Sequence, residues 1–374
     1  MNNSLHISIA EAPSPTVEYV HQLLQLAVAE HASDIHFEPD EDRLNIRYRI
    51  DGMLQEASAP PKQLAPALLS RLKVMANLDI AEKQQPQDGR FRIFVEDRSI
   101  EFRLSTLPTQ HGESIVLRVL DQAHARLNLN QLGFSKNIYE CLTSILEKNN
   151  GIFIATGPTG AGKTTTLYAC LHYINDAGLK ILTVEDPIEY EIEGAQQVAV
   201  QDNIDLNFPR VLRSFLRHDP DCLLVGEIRD TETAKIAVQA SLTGHLVLSS
   251  LHTNDASGAI FRLIDMGIEP FFISAALEAV LAQRLVRKLC EACKTDKKAT
   301  GCSECRNTGY KGRCGIYELM PLDDELRFLI DEQAPLFRIQ QKAVELGMIP
   351  LKESALKLAR SGVTSFEEIE KYFS

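Results

Sequence analysis

Residues 157–165 read Gly-Pro-Thr-Gly-Ala-Gly-Lys-Thr-Thr, which is a complete GxxxxGK[ST] phosphate loop. An apolar run at 151–156 predicts a buried strand before the loop, and residues 165–174 predict a helix after it. Strand, glycine-rich turn and helix form the context that this loop needs in order to hold phosphates. The chain is therefore predicted to bind a nucleoside triphosphate.

The residue types of the loop indicate how the phosphates would be held. Glycines let backbone N–H groups close around the phosphates, Lys163 adds a positive charge at the outer phosphates, and the Thr164 hydroxyl can hold Mg²⁺. ATP and Mg²⁺ are the expected cofactors. The predicted nucleotide-binding residues of the loop are Gly157, Pro158, Thr159, Gly160, Ala161, Gly162, Lys163, Thr164 and Thr165.

The composition is that of an ordinary globular protein with room for two domains and a small third module in its 374 residues. With 39 Lys and Arg against 51 Asp and Glu, the formal net charge is -12. This balance argues against broad non-specific binding to DNA or to an anionic membrane. No apolar run of ~18 residues and no secretory signal is evident, so a cytoplasmic protein is predicted.

The distribution of strand-like and helix-like segments predicts two different domains. Residues 1–120 mix a helix-like segment with short strand-like runs and lack a βαβ rhythm, which indicates a small α+β domain. A polar linker is predicted at 121–133. In 134–285, apolar runs alternate with helices, which is typical of a parallel sheet covered on both faces.

Acidic residues follow the predicted strands 180–184 and 222–225, where ligands sit in open α/β sheets. Glu227 is the predicted general base or water-positioning residue, because hydrolysis needs an acceptor beside the γ-phosphate. Gly226 stands where a Walker B strand usually carries Asp. Asp186 and Glu189 could contact Mg²⁺ through its bound waters, so Glu189 remains an alternative for water activation.

Two histidines, His245 and His252, lie on either side of residues 246–251, around the predicted strand 245–249. A single histidine in such a place is more often a satisfied core residue. A pair beside a nucleotide site suggests sensors that link loss of the γ-phosphate to a conformational change.

Four of the eight cysteines form two CxxC pairs with eight residues between them. The predicted metal ligands are Cys290, Cys293, Cys302 and Cys305. This spacing predicts one structural Zn²⁺ in a closed thiolate site within a module at 286–318, with no part in hydrolysis. Redox disulfides are the alternative. Cys314 is interpreted as a plain thiol, and the segment 319–374 is predicted to form a helical subdomain. The remaining cysteines, which read as core residues, are Cys141, Cys170 and Cys222.

Together these segments resemble the type II secretion and type IV pilus assembly ATPases. The four sequence boxes of that family are matched by the phosphate loop and by Thr183–Glu189, Val225–Asp230 and Thr243–Asn254. The domain that precedes the motor is matched by Ser33–His36, Ile46–Gly52, Gln87–Arg90 and Gly112–Arg118. The resemblance runs from about residue 16 to the C-terminus, and the family shares the Gly226 departure.

The resemblance implies a fold and an assembly. It implies a RecA-like P-loop ATPase domain behind a PAS-like α+β domain, and a hexamer that holds ATP between the two domains. Arginines from both domains would complete the site, since guanidinium groups stabilise charge on a departing phosphoryl group. The matching residues are Arg103, Arg118, Arg213 and Arg217. For each of them a surface salt bridge is the alternative.

The resemblance also implies partners. The expected activity is Mg²⁺-dependent ATP hydrolysis that drives a polytopic inner-membrane platform protein, and through it the assembly of pilins or pseudopilins. The protein would be cytoplasmic, associated peripherally with the inner membrane, and would bind no nucleic acid. Retraction motors of this kind lack the paired cysteines, which favours assembly or secretion over pilus retraction.

Two alternatives of another class are a nucleic-acid translocating ATPase and a non-hydrolysing nucleotide-binding regulator. The acidic balance disfavours the first and Glu227 disfavours the second. Larger relatives carry an additional N-terminal domain, whereas only about fifteen residues precede the first matching helix here. Recruitment through another surface, or a minimal competence-type or pilus system, is therefore expected.

Overall fold

An antiparallel sheet with two helices on one face forms the first of two units. The computed structural model describes residues 14–58, 60–95, 98–121 and 127–373, and the chain divides into two units after residue 123. The elements of the first unit are α1 (Pro15–Ala29), β1 (Asp34–Pro39), β2 (Leu44–Ile50), β3 (Met53–Glu56), α2 (Ala65–Met75), β4 (Asp88–Val95), β5 (Arg98–Thr109) and β6 (Gly112–Leu120). The strands lie in the order β3-β2-β1-β6-β5-β4.

Alternation along these strands separates an apolar face from a charged one. Buried residues such as Ile35 and Phe102 belong to one core cluster together with Leu24 of α1 and Leu72 of α2. Between them on β1 and β5, residues such as Asp34 and Arg103 are only partly buried. The first unit is thus an α+β structure whose helices cover one face of the sheet.

A mostly parallel sheet forms the centre of the second unit. Its strands are β7 (Gly151–Thr156), β8 (Ile181–Glu185), β9 (Gln196–Ala199), β10 (Cys222–Val225), β11 (Leu246–Leu251), β12 (Leu277–Leu289) and β13 (Tyr310–Pro321). They lie in the order β13-β12-β7-β11-β10-β8-β9. Neighbours pair in parallel, except that β13 runs antiparallel to β12.

Helices cover both faces of this sheet. Successive residues of β7 show this: Ile152 and Ile154 belong to one core cluster, and Phe153 and Ala155 belong to the other. Strands buried on both faces explain why the apolar runs are continuous, as the sequence predicted. The helices are α3 (Lys136–Leu146), α4 (Lys163–Ile174), α5 (Phe208–Phe215), α6 (Thr231–Leu242), α7 (Ala256–Asp265), α8 (Pro270–Ala276), α9 (Asp324–Asp331), α10 (Leu336–Glu345), α11 (Leu351–Arg360) and α12 (Phe366–Phe373).

The cysteine segment is the tip of a hairpin made by β12 and β13. The predicted limits of the zinc module, at 286 and 318, fall inside these two strands. Both strands remain in the ladder there, with Val286 opposite Cys314 and Ala282 opposite Glu318. The strands that flank the cysteine segment therefore belong to the main sheet.

The C-terminal helix α12 contacts this hairpin close to its tip through a buried ion pair. Arg287 of β12 donates to Glu368 of α12 at 2.9 Å and 2.5 Å, and Glu368 is 1% exposed. The Arg287 guanidinium also lies 4.0 Å from the centre of the Tyr310 ring, and the Tyr310 hydroxyl lies 2.6 Å from that of Ser365. These contacts tie the end of the chain to the strands that carry the cysteines.

Candidate functional site

The phosphate loop lies between β7 and α4, in the strand–turn–helix context that the sequence predicted. Gly157, Gly160 and Gly162 have φ values of +147°, +77° and +87°, which L side chains rarely adopt. The first of them is also close to another strand, because a Cβ on Gly157 would lie 2.4 Å from the carbonyl oxygen of Gln283. Glycine is therefore required at position 157 both by the backbone conformation and by the space available.

Lys163 is held inside the loop. Its Nζ donates to the carbonyl oxygens of Gly157 at 2.8 Å and Pro158 at 3.1 Å, and the residue is 9% exposed. Burial lowers the pKa of Lys163, and the nearby negative charge of Glu227 opposes that shift. Thr164 follows in the first turn of α4, where backbone N–H groups lack helical partners and attract anions.

Glu227 follows β10 and has a donor on each carboxylate oxygen. Arg229 donates to Oε1 at 2.5 Å, and His252 Nε2 lies 3.3 Å from Oε2. Burial alone would raise the pKa of Glu227, but the hydrogen bond and charge of Arg229, together with His252, outweigh it and lower the pKa. Glu227 is therefore an oriented carboxylate that stays ionised at neutral pH.

Arg229 joins this carboxylate to a second one. Its other terminal nitrogen donates to Asp186 Oδ2 at 3.3 Å, so Asp186 and Glu227 lie on either side of one guanidinium group. Arg229 carried no assigned role in the sequence-based prediction. The only sequence signal for it is its position two residues after Glu227.

Gly226 follows β10 and lies close to β8. A Cβ at this position would lie 3.3 Å from both the Cα of Glu185 and the carbonyl oxygen of Val184, tighter than ordinary van der Waals contact. A side chain here would need its neighbours to shift by a few tenths of an ångström, so this close approach favours glycine where a Walker B strand usually carries Asp.

Glu189 belongs to a buried network that includes the phosphate-loop helix. Its backbone N–H donates to the Tyr168 hydroxyl at 3.4 Å, and that hydroxyl donates to Glu185 in a very short contact. Glu185 is 3% exposed and also accepts from Thr183 at 2.6 Å. Tyr168 of α4 therefore holds the segment that carries the second candidate for water activation.

The two predicted histidines lie at opposite ends of β11. His252 follows the carboxyl end, and the next residue, Thr253, donates its N–H at 2.9 Å to the hydroxyl of Thr156, which directly precedes the phosphate loop. His245 precedes β11 and its carbonyl oxygen accepts from Gly151 N–H, at the start of β7. Six residues of strand separate these ends by about 20 Å.

The structure therefore does not bring His245 to the phosphate loop. Its Nδ1 lies 2.8 Å from the carbonyl oxygen of Ala240, which ties the ring to the end of α6. This contact fits the alternative of a satisfied structural histidine. Of the predicted pair, His252 alone lies beside Glu227.

The predicted arginines of the second unit lie on and just after α5. Arg213 forms an ion pair with Glu232 in the first turn of α6, and Arg217 donates to the carbonyl oxygen of Arg213 at 2.9 Å. Both side chains are exposed. Within this chain, both arginines contact nearby residues of the second unit. The contact of Arg213 is the surface salt bridge that was the alternative to a role in the site.

The predicted arginines of the first unit are directly opposite each other on the charged face of its sheet. Arg103 pairs with Arg118 on one side and with Arg90 on the other, and Arg118 pairs with Asp34. Arg118 Nε donates to Asp34 Oδ1 at 3.3 Å. Like charges opposite each other on adjacent strands are destabilising. These arginines line an open pocket of about 500 Å³ together with Asp34 and Asp88, so its three guanidinium groups outnumber its two carboxylates.

The four predicted cysteines come together at the hairpin tip. Their sulfur atoms all lie within 4.8 Å of one another, and three of the separations are 3.7, 3.7 and 3.9 Å. A tetrahedral Zn²⁺ with bonds of about 2.3 Å would separate its sulfur ligands by about 3.8 Å. The residues present therefore fit a zinc site. Cys314 is not in this group, and Cys170 and Cys222 are buried.

Backbone donors support thiolate at Cys305 of this cluster, whereas burial raises the pKa of Cys290 to about 11. The N–H groups of Cys302 and Gly309 point to Cys305 Sγ at 3.1 and 3.2 Å. Burial would raise the pKa of Cys305, but these donors and the neighbouring thiols lower it to about 6. A thiol that ionises readily is a good zinc ligand.

Within the described ranges, no helix has both the length and the apolar character needed to cross a membrane.

A glycine turn between a buried parallel strand and a helix, with an oriented carboxylate at the same end of the sheet, defines a P-loop nucleotide-hydrolysing protein. The profile of the family described as "Type II/IV secretion system protein" matches residues 10–371. The chain belongs to this family, and it is an ATPase.

Individual relatives agree with this family assignment. The type II secretion system protein HxcR of Pseudomonas aeruginosa is 48% identical over 95% of this chain and 77% of its own length. The type II secretion system ATPase E of Vibrio cholerae is 47% identical (96% and 76%), and the type IV pilus assembly ATPase PilB of Myxococcus xanthus is 45% identical (95% and 67%).

Solved structures share the fold. The Legionella pneumophila ATPase DotB matches with a TM-score of 0.75 over 97% of this chain and 98% of its own, at 21% identity. The pilus retraction motor PilT with bound ADP matches with a TM-score of 0.67 over 94% and 96%, at 26% identity.

Proposed function

We propose that this protein is the Mg²⁺-dependent ATPase of a hexameric motor that powers assembly of a type II secretion pseudopilus or a type IV pilus. The observation that carries this proposal is the pairing of Glu227 with His252 at the sheet end that carries the phosphate loop. Relatives named as a type II secretion ATPase and a type IV pilus assembly ATPase support the cellular process.

Assembly is favoured over retraction by two observations. Identity to the secretion and pilus assembly relatives is 45% or more, whereas identity to the retraction motor PilT is 26%. The four-cysteine cluster is the second observation, because the family resemblance implies paired cysteines in assembly and secretion motors and not in retraction motors.

In the proposed site the phosphates bind to the backbone N–H groups of the loop and to Lys163. Thr164 in the first turn of α4 would supply a hydroxyl ligand to Mg²⁺, and Asp186 a carboxylate near its waters. When bound, Mg²⁺ neutralises charge on the phosphate oxygens. The chain itself supplies the turn that orients the nucleotide and the carboxylate that accepts the proton of the attacking water.

Glu227 is preferred to Glu189 as that acceptor. Its oxygens are both oriented by donors, and it lies close enough to Lys163 for their charges to interact. An ionised carboxylate beside the lysine of a phosphate loop can position a water molecule and take its proton. His252 contacts this carboxylate, so it is the proposed sensor of the γ-phosphate.

The four predicted arginines are proposed to stabilise charge on the phosphoryl group. The row formed by Arg103, Arg118 and Arg90 supports a phosphate ligand for the first unit. Arg213 and Arg217 are exposed and would have to leave their present partners. Guanidinium groups in such roles contribute about 10³-fold or more to phosphoryl transfer.

The remaining proposals concern organisation and location. We propose five segments at 1–120, 121–133, 134–285, 286–318 and 319–374, with a structural Zn²⁺ on the four cysteines. We propose one protein partner, a polytopic inner-membrane platform protein that acts on pilins or pseudopilins. The protein would work in the cytoplasm at the inner membrane and without nucleic acid.

The purified chain tests this proposal. We expect ATP hydrolysis that requires Mg²⁺, a hexamer by mass measurement, and co-purification with the platform protein from membranes. Cells that depend on this protein should stop exporting filament subunits when Glu227 is changed to Gln. Turnover stimulated by DNA, together with normal filament export in the Glu227→Gln strain, would instead identify a nucleic-acid translocase.

A further inference from the structure

Gln283 is a buried amide in a strand whose preceding residues are apolar. It is 2% exposed, and the residues before it on β12, Val280, Leu281 and Ala282, are fully buried. A buried amide costs stability unless its donors and acceptor find partners. The partners of Gln283 therefore indicate what the side chain does.

Both ends of the amide contact the phosphate-loop region. Nε2 donates to the carbonyl oxygen of Ala161 at 2.8 Å, and Oε1 accepts from the Thr166 hydroxyl at 2.9 Å. Ala161 lies in the loop and Thr166 in the first turns of α4, so the two lie on either side of Gly162. Gln283 thus bridges the turn by which the chain enters the helix.

The backbone of Gln283 contacts the start of the same loop. A Cβ atom added to Gly157 would lie 2.4 Å from the carbonyl oxygen of Gln283. A Cβ atom added to Gly162 would lie 3.3 Å from Gln283 Nε2. Gln283 therefore packs against the loop at its first glycine and at its last.

The hydrogen bond to Ala161 orients a backbone donor. In a trans peptide, the C=O of one residue and the N–H of the next point in opposite directions. Because Ala161 C=O points to Gln283, the N–H of Gly162 points away from β12. Backbone N–H groups are the phosphate ligands of such loops.

We propose that Gln283 is a positioning residue for nucleotide binding, which holds the Ala161–Gly162 peptide so that its N–H faces the phosphates. The proposal rests on the phosphate-binding function proposed for the loop. Gln283 acts through the loop and does not itself touch the nucleotide.

Gln283→Met tests the proposal, because Met has a similar length without the amide's donor and acceptor. We expect the Kd for a fluorescent ATP analogue and the KM for ATP to rise about tenfold, which corresponds to about 1.4 kcal/mol. The matched control is Gln239→Met on the exposed side of α6, which should change neither constant.

Gln283→Glu adds a measurement of how nucleotide affinity depends on pH, which should not change if Gln283 only fills space in the core. At pH 8 an ionised carboxylate would face the Ala161 carbonyl oxygen without a proton to donate, so nucleotide affinity should fall further than in Gln283→Met. Burial raises carboxyl pKa values, so protonation at pH 6 should restore the donor. The affinity of this variant relative to wild type should therefore recover as the pH falls.

Lys163→Ala distinguishes failure of the positioning role from failure of the proposed function. If Lys163→Ala loses nucleotide binding while Gln283→Met and Gln283→Glu bind like wild type at every pH, the positioning role is overturned and the function stands. If Lys163→Ala also binds like wild type, the proposed function fails with it. Variants of Gln283 that lose only thermal stability, or that do not fold, would assign the residue to packing and overturn its positioning role.

Discussion

His252 Nε2 lies 3.3 Å from Glu227 Oε2, while Arg229 donates to Glu227 Oε1 at 2.5 Å. The two donors fix the plane of the carboxylate. Thr253, next to His252, donates its backbone N–H to the hydroxyl of Thr156, which directly precedes the phosphate loop. These contacts place His252 between the carboxylate and a residue hydrogen-bonded to Thr156, which supports its proposed role as a sensor.

Glu227→Gln should abolish most of the turnover and leave binding intact. The amide cannot accept a proton from water, so we expect kcat to fall by about 10²- to 10⁴-fold. The Kd for ATP should stay close to that of the wild type. Steady-state hydrolysis and nucleotide titration measure the two effects. Glu189→Gln is the comparison, and a larger loss of kcat in that variant would transfer the role to Glu189.

Lys163→Ala should remove nucleotide binding without unfolding the hairpin. The lysine supplies the positive charge of the loop, and the cysteine cluster is built from β12 and β13. We therefore expect loss of ATP binding and turnover, with unchanged zinc content measured by metal analysis. Lys235→Ala, at an exposed position of α6, is the control. A strain that carries Lys163→Ala and still exports filament subunits would contradict the proposed motor.

The cysteine cluster should bind about one Zn²⁺ per chain. Cys293→Ser removes one of four ligands, so it should lower the zinc content and the thermal unfolding temperature, as should a strong chelator. Cys314→Ser should keep the metal, because Cys314 is not part of the sulfur cluster. Equal zinc loss in both variants, or full zinc retention in Cys293→Ser, would contradict this ligand set.

The buried pair of Arg287 and Glu368 should make stability depend on pH in the acid range. Burial alone would raise the pKa of Glu368, but the hydrogen bonds and charges of Arg287 and Lys371 outweigh it and lower the pKa. A carboxyl whose pKa is lower in the folded state contributes stability that is fully present above its unfolded pKa of about 4.3. That contribution is lost as the pH falls through the folded value.

Glu368→Gln should therefore lower the free energy of unfolding at pH 7 by about 3 kcal/mol, because it leaves a buried guanidinium without its charge partner. The difference from wild type should shrink when denaturant unfolding is repeated below pH 4. The exposed Glu370 provides the control, since Glu370→Gln should change the free energy by less than about 0.5 kcal/mol. A difference that is constant with pH would contradict a charged pair.

Several elements were predictable because their signals are local. Strand β10 has the bounds that its apolar run predicted, Cys222–Val225. The phosphate loop and the CxxC pairs carry their chemistry within a few residues of chain. Each of these patterns depends on neighbours in the sequence, so no knowledge of the fold was needed.

Strand β12 shows where such signals fail. No strand is predicted from Leu277–Leu289, which is rich in Leu, Ala, Arg, Gln and Lys, all good helix formers. The segment is a strand because it pairs with β7 on one side and β13 on the other. Burial between two neighbouring strands outweighs the intrinsic preference of these residues.

The sequence alone determined that the chain has a phosphate loop and a four-cysteine cluster, because each motif contains its own ligands. Only the tertiary structure decided which other residues lie beside the loop. The parallel register of β11 with β7 brings His252 to the loop and leaves His245 at the far end. Sheet order brings Gln283 to Ala161 across 122 residues of chain. Spacing along the sequence carries no information on contacts of that kind, since they form only when distant strands pair.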